Sequence, residues 1–406
     1  MAEIDRWWNL HPDLLYQITE HLYFYDDYIR LRLVCKEWNS KLSSIPHHKR
    51  NPWLLLPGTT HDSSLSHILD KEQIYHVMFP DFDINDNLIY GSGYGWLITV
   101  VISNGAIRML NPFTKSHLDL PPISTFPDVV RYHRDWWHGG EYVLVELSDG
   151  SIYTIDALSF HKYEIWKIVI SSPPDNEDFM AVAIYGECGN LAVCKLNDKR
   201  WTDIPMEEIS PLFQDVIFFQ DKIYAVDFDT NLYEFDKKVI MDELGKKPRP
   251  QLVPLLTSIG GICEPPPPAK LATHYNCSMN KYVIGCVDGS LLMIVKHDDW
   301  AMKMLHICNK FDVFKLNKNS KEWSRIHSLK DFAVMIGYNS SVQIFSGNFS
   351  YCKANHIYYT DNQVELHTPG EPSLQDMGIL NLQDIKTTNK ILSNVEWACP
   401  PTWLLL

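Results

Sequence analysis

Val193-Cys194-Lys195-Leu196-Asn197 is followed, after a polar turn, by Trp201-Thr202-Asp203-Ile204. Val313-Phe314-Lys315-Leu316-Asn317 is followed in the same way by Trp323-Ser324-Arg325-Ile326. Each pair reads as a strand ending in Asn, a polar turn, and a strand that opens with Trp. Asn suits that position because its side chain bonds nearby backbone and tolerates turn conformations. Looser copies end at Asn111, Asp156, Asp236 and Asn381. The first four copies recur at about 40–45 residues, the size of one four-stranded propeller blade. Six such strands favour six blades, and the two wide gaps leave room for a seventh.

Working outward, period-two runs occupy most of the chain beyond residue 74. They include Trp96–Ile102, Phe179–Tyr185, Ile223–Val226, Leu291–Val295, Phe332–Ile336 and His356–Tyr359. Asn104-Gly105, Asp149-Gly150 and Asp288-Gly289 stand between pairs of runs, and such dipeptides favour tight hairpin turns. A β-sandwich with a separate α+β domain is the competing reading, and the steady hairpin rhythm speaks against it. Lys246-Lys247-Pro248-Arg249-Pro250 and Pro265 to Pro268 mark an inserted loop over 245–275.

Composition agrees with this reading. The 406 residues are 45% hydrophobic and 12% aromatic, with 13 Trp and 20 Tyr, which favours strands. The formal net charge of −14 runs against a general nucleic-acid or anionic-membrane binder. Nine Cys occur without a Cys-x-x-Cys pair or a zinc-ligand spacing. No apolar run approaches a membrane span. The expectation is a protein of the nucleus or cytoplasm, or both, that needs no cofactor.

The N-terminus differs. Leu10, Leu14, Leu15, Ile18 and Leu22 recur at helical spacing, with Pro12 and Asp13 where a helix begins. A second helical stretch runs from Tyr28 through Leu31, Leu33, Val34 and Cys35 to Trp38. Such a small helical module buries a core poorly by itself, so docking onto another surface is reasonable. Three segments follow: a helical domain at 7–48, a linker at 49–73 and an all-β domain at 74–406.

The pattern Leu10-His11-Pro12-Asp13-Leu14-Leu15, Ile18, Leu22, then Leu31-Arg32-Leu33-Val34-Cys35-Lys36-Glu37-Trp38 resembles the F-box. One departure stands out: the family has Pro directly after the first Leu, where this chain has His11. The remainder resembles the C-terminal domain of plant F-box proteins of the KIB and SKIP type. Asp215 to Phe219 with Lys222 to Asp227, Phe311 to Leu316, Leu329-Lys330-Asp331 with Gly337, Cys352 with Asn355 to Asp361, and Trp397 to Trp403 carry that likeness. Lys330 stands where Gly is commoner.

The resemblance implies a small all-α F-box followed by an all-β propeller. It implies a non-catalytic substrate-recognition subunit of an SCF-type ubiquitin ligase. In that role Leu10, Pro12, Leu14, Leu15, Ile18, Leu22, Leu31, Leu33, Val34, Cys35 and Trp38 would meet a Skp-type adaptor and, through it, a cullin. The propeller would hold a protein target. The alternative is a propeller scaffold that uses its F-box without a cullin.

Catalytic constellations are weak. Asp135-Trp136-Trp137-His138 and His47-His48 lack a second ligand at a useful spacing. Gly91-Ser92-Gly93-Tyr94-Gly95 leads into a strand, whereas a phosphate cradle needs a helix N-terminus. Cys35 reads as a packed apolar residue. Trp201 and Trp323 are expected to pack between blades.

Overall fold

The computed structural model describes residues 5–20, 22, 25–42, 53–56, 63–66, 74–77, 86–112, 114–133, 140–147, 150–204, 206, 211–242, 251–253, 279–298, 308–317, 320–348, 352–360, 377–383 and 402–404. His47-His48, Asp135 to His138, Lys246 to Arg249 and Pro265 to Pro268 lie outside them.

Four helices come first: α1 (Asp5–Trp8), α2 (Pro12–Glu20), α3 (Tyr25–Arg32) and α4 (Lys36–Lys41). Among the described residues the strands form seven sheets. Sheet I holds β1 (Trp53–Leu56), β2 (Ser63–Ser66) and β3 (Ile74–Val77). Sheet II holds β4 (Asn87–Gly93), β5 (Trp96–Val101), β6 (Ile107–Leu110) and β7 (His117–Leu120). Sheet III holds β8 (Val129–His133), β9 (Glu141–Val145) and β10 (Ile152–Asp156), followed by α5 (Ala157–Tyr163). Sheet IV holds β11 (Ile165–Ile170), β12 (Met180–Tyr185), β13 (Asn190–Lys195) and β14 (Thr202–Asp203). Sheet V holds β15 (Phe213–Phe219), β16 (Lys222–Asp227), β17 (Leu232–Asp236) and, after α6 (Lys237–Asp242), β18 (Gln251–Val253). Sheet VI holds β19 (Met279–Gly285), β20 (Leu291–Asp298), β21 (Cys308–Asn317) and β22 (Glu322–Ile326). Sheet VII holds β23 (Phe332–Ile336), β24 (Val342–Phe345), β25 (His356–Tyr359) and β26 (Gly378–Asn381). The last strand, β27 (Thr402–Leu404), returns to pair antiparallel with β1 and completes sheet I.

Five of the six Asn/Asp stops end or follow the third strand of a sheet. Asn381 instead closes a fourth strand, because sheet VII is wired differently. Its order is β24-β23-β25-β26, with β23 and β25 parallel.

Sheet I was missing from the sequence count. Its β1 and β2 fall inside 49–73, so that segment is not a plain linker. The reason is physical: β1 finds its partner β27 about 350 residues away, and no hairpin dipeptide announces such a pairing. Similarly, β18 lies inside the expected insert at 245–275 and pairs with β17.

Contacts between first strands set how the sheets pack. A Cβ at Gly91 in β4 would sit 1.9 Å from the Ile168 carbonyl oxygen of β11, so only glycine permits this approach. Tyr94 donates to the Ser171 carbonyl at 2.9 Å, joining sheets II and IV. Lys167 of β11 pairs with Asp215 of β15, whose other oxygen accepts from the Val283 amide of β19 at 2.7 Å. Beyond β19, the Val287 amide donates to Gln343 of β24. Trp403 of β27 donates through Nε1 to the Ile336 carbonyl of β23 at 2.9 Å, and its own carbonyl accepts from Ser92 of β4. These contacts lead from sheet I through II, IV, V, VI and VII and back to I.

Sheet III stands outside that path. His161 of α5 holds it: Nδ1 lies 2.6 Å from the Ile102 carbonyl and Nε2 lies 3.0 Å from the Tyr142 hydroxyl. Bonding to a carbonyl fixes the proton on Nδ1, so Nε2 accepts from Tyr142. Asn104-Gly105 turns with Gly105 at φ +68°, and a side chain there would strike Ile123 and His161.

Candidate partner-binding faces

The helical module divides its apolar residues into a frame and a free set. Pro12 opens α2 at the position where a missing N–H costs nothing. His11 caps it: the carbonyl accepts from Leu14 and Leu15, and Nδ1 accepts from the Asp13 amide at 3.4 Å. The unusual His-Pro order therefore supplies a cap and a first-turn proline. Cys35 caps α4 by accepting from the Trp38 amide through Sγ. Trp38 is buried and donates to the Trp7 carbonyl at 3.0 Å, while Lys41 Nζ donates to Asn9 Oδ1 and the Leu10 carbonyl. These bonds tie both ends of the module together.

Leu15, Tyr28, Trp38 and Leu42 are buried, in one apolar cluster with Trp53, Leu55 and residues of sheets II to IV. Leu10, Leu22, Leu31 and Cys35 pack half-buried against it, and Pro12 and Ile18 are also half-buried. Leu14, Leu33 and Val34 are instead 47%, 74% and 54% exposed. Trp7 and Trp8 are exposed as well. Sequence reasoning passed over them, although two adjacent Trp ahead of the apolar pattern were a signal. Leu33 and Val34 are exposed because α3 stops at Arg32. The chain turns there, so helical periodicity no longer places their side chains.

Within the sheets, buried charges serve the frame. Asp215 is satisfied by Lys167, the Val216 amide and the Val283 amide. Asp312 is buried between His297, at 2.8 Å, and Arg325. Lys281 donates to Gln214 and the Phe228 carbonyl and lies over the Phe228 ring. Buried ions are tolerated only with such full pairing. The segment after β23 is equally committed. Tyr338 donates to the Ile165 carbonyl, Asn339 donates to Thr402 Oγ1 at 2.8 Å, and Ser340 bonds Ser92. It thereby links sheets I, II, IV and VII.

Trp201 is buried, stacks on Phe126 at 4.9 Å and donates to the Pro121 carbonyl. Trp323 lies in a cluster shared by sheets V and VI. Both fill inter-sheet space. Gly91 to Gly93 form part of β4, and Tyr94-Gly95 is its hairpin turn at positive φ.

One acidic constellation lies between sheets III and IV. Burial, reinforced by the charge of Asp128, lifts the Glu164 carboxyl well above its usual range. Burial also raises Asp128, which hydrogen-bonds Glu164. Asp203 is pushed up to about 6 by burial. Two carboxyls so placed share a proton rather than both ionise. Among the described residues, no group of three or more His, Cys, Asp or Glu side chains is arranged to hold a metal ion.

The family model described as "KIB1-4 beta-propeller" matches residues 64–381. The chain belongs to this β-propeller family. It is 24% identical over 412 residues to an Arabidopsis thaliana protein named for an F-box, covering 98% of this chain and 96% of the relative. A second F-box protein of Arabidopsis thaliana is 24% identical over 369 residues, covering 87% of this chain and 84% of the relative. Among solved structures, Kluyveromyces lactis Hsv2 superimposes with a TM-score of 0.32 at 12% identity, covering 69% of this chain and 83% of that one. Both relatives are named as F-box proteins, and the family model describes a β-propeller.

Proposed function

We propose that the chain is the substrate-recognition subunit of an SCF-type ubiquitin ligase and is not itself catalytic. Residues 7–48 are the F-box. The propeller begins at Trp53 and has six blades, sheets I, II, IV, V, VI and VII, with β27 against β1 closing the ring. Sheet III is an accessory layer beside it. The protein works in the nucleus or cytoplasm.

The observation that carries this reading is the division inside the helical module. Leu15 and Trp38 hold the frame, which leaves Leu14, Leu33 and Val34 free for a partner. Interface energy concentrates in a few such anchors. Leu14, Leu33 and Val34 meet the Skp-type adaptor, with Leu10, Pro12, Ile18, Leu22, Leu31 and Cys35 shaping the surface around them. The adaptor brings a cullin. The propeller holds the target near the charged enzyme and raises its local concentration, so rate is gained by proximity.

The test is co-purification of adaptor and cullin with the full chain. Wild type should bring down both. Recovery of the adaptor without a cullin supports the scaffold alternative, and recovery of neither removes the F-box assignment.

A further inference from the structure

Among the described residues every sheet but one has four strands, and sheet III has three. Its two edges differ. The β8 edge carries Arg131 and His133 and an irregular register between Val129 and Arg131. Charges and bulges of that kind keep other strands from adding to an edge. The β10 edge, Ile152-Tyr153-Thr154-Ile155-Asp156, carries no proline or register shift, and its one charge is the terminal Asp156.

The phase of the ladder fixes what β10 presents. The Glu146 amide donates to the Ser151 carbonyl at 2.8 Å, so Ser151 faces β9. The Val145 amide donates to the Asp128 carbonyl at 2.9 Å, so Val145, paired with Ile152, turns the other way. Hydrogen-bonded and non-bonded pairs alternate in antiparallel sheets. Ile152 and Thr154 therefore point their N–H and C=O groups away from β9, and among the described residues nothing bonds to them. Ile152 is 68% exposed, and Gly150, Ser151 and Thr154 are exposed with it. Half-buried Val143 and Val145 lie beside them on the same face.

Carboxylates stand at both ends of the β9–β10 ladder, Glu141 with Asp156 at one and Glu146 at the other. Burial and then the charges of Glu164, Glu187, Asp128 and Glu146 hold the Tyr153 hydroxyl above its usual range. Exposed Asp156 ends the strand. A segment that lies along this edge gains from apolar residues opposite Ile152 and from cationic residues toward exposed Asp156 and its ladder partner Glu141.

We propose that the free edge of β10 docks an extended segment of a partner protein, apolar with interspersed Lys or Arg, as the fourth strand of sheet III. Calling that partner the ubiquitination target rests on the adaptor reading above; the edge itself does not.

The probe is a displayed library of random linear peptides, selected on the full-length chain and remeasured by fluorescence anisotropy. Selected peptides should alternate apolar residues with Lys or Arg. Thr154→Pro removes one outward N–H while leaving the β9 ladder intact, as proline at a strand edge does. It should weaken these peptides about tenfold or more, whereas Thr154→Val should not. If Thr154→Pro fails to fold, peptides N-methylated at alternate positions replace it, and binding should drop with a two-residue period. Leu33→Asp, which disables only the helical module, should leave peptide affinity unchanged, so the two readings fail separately. Equal binding by Thr154→Pro or insensitivity to N-methylation would overturn the proposal. So would failure to enrich any peptide, or a wild-type dimer that Thr154→Pro dissociates.

Discussion

Strands β12 and β9 are both inner strands of their sheets, yet they are buried differently. Every residue of β12, Met180 to Tyr185, is buried. In β9 only Tyr142 and Leu144 are, alternating with more open neighbours. A strand packed on both faces reads as a continuous apolar run, and one covered on a single face alternates. Sheet IV packs against sheets II and V through its first strand, while sheet III, held through α5, lies outside that path of contacts. The difference separates the sheets on that path of contacts from the one beside it.

Three substitutions test the contrast, from the largest expected effect to the smallest. Asp215→Ala leaves Lys167 buried and unpaired between sheets IV and V and should cost about 3–5 kcal/mol. Ile184→Ala opens a cavity in β12 and should cost about 3 kcal/mol. Val145→Thr, on the open face of sheet III, should stay within about 0.5 kcal/mol of wild type. Denaturant midpoints at constant m-value measure all three. If Val145→Thr costs as much as Ile184→Ala, sheet III is packed like the others. Lys330 adopts φ +56°, the left-handed region where glycine is at ease. Lys330→Gly relieves that strain but loosens the unfolded chain, so its net change should be under about 1 kcal/mol.

The carboxyls between sheets III and IV add a pH signature. Glu164, Asp128 and Asp203 are all raised by burial. The folded state then binds more protons than the unfolded chain, and stability falls as pH rises from the ordinary carboxyl range through about 6 and beyond. Glu164→Gln keeps a hydrogen-bond donor toward Asp128 and removes one ionisation. Its denaturant midpoint should be flatter over that window; an unchanged slope would show that Glu164 does not titrate there.

The sequence made local features legible. Asn197 and Asn317 marked third strands because a hairpin writes its turn beside its strands. Sheet I was illegible because Trp53–Leu56 pairs with residues at the far end of the chain. Asp156 correctly marked the third strand of sheet III, but a local motif cannot tell what covers a sheet. The six local copies lie in sheets II to VII, and sheet I, whose strands meet across the length of the chain, had no copy. In the helical module, periodicity found the apolar residues. It could not separate Leu15, which is internal, from Leu14, which is free, because that depends on what α4 and β1 cover.

Binding of the full-length chain to a Skp-type adaptor, measured by isothermal titration, tests the central claim most directly. Wild type should bind, Leu33→Asp combined with Val34→Asp should lose at least about a hundredfold in affinity, and its fold should be unchanged by circular dichroism. Undiminished binding by that variant, or no binding by wild type, would contradict the assignment of the helical module as the docking element.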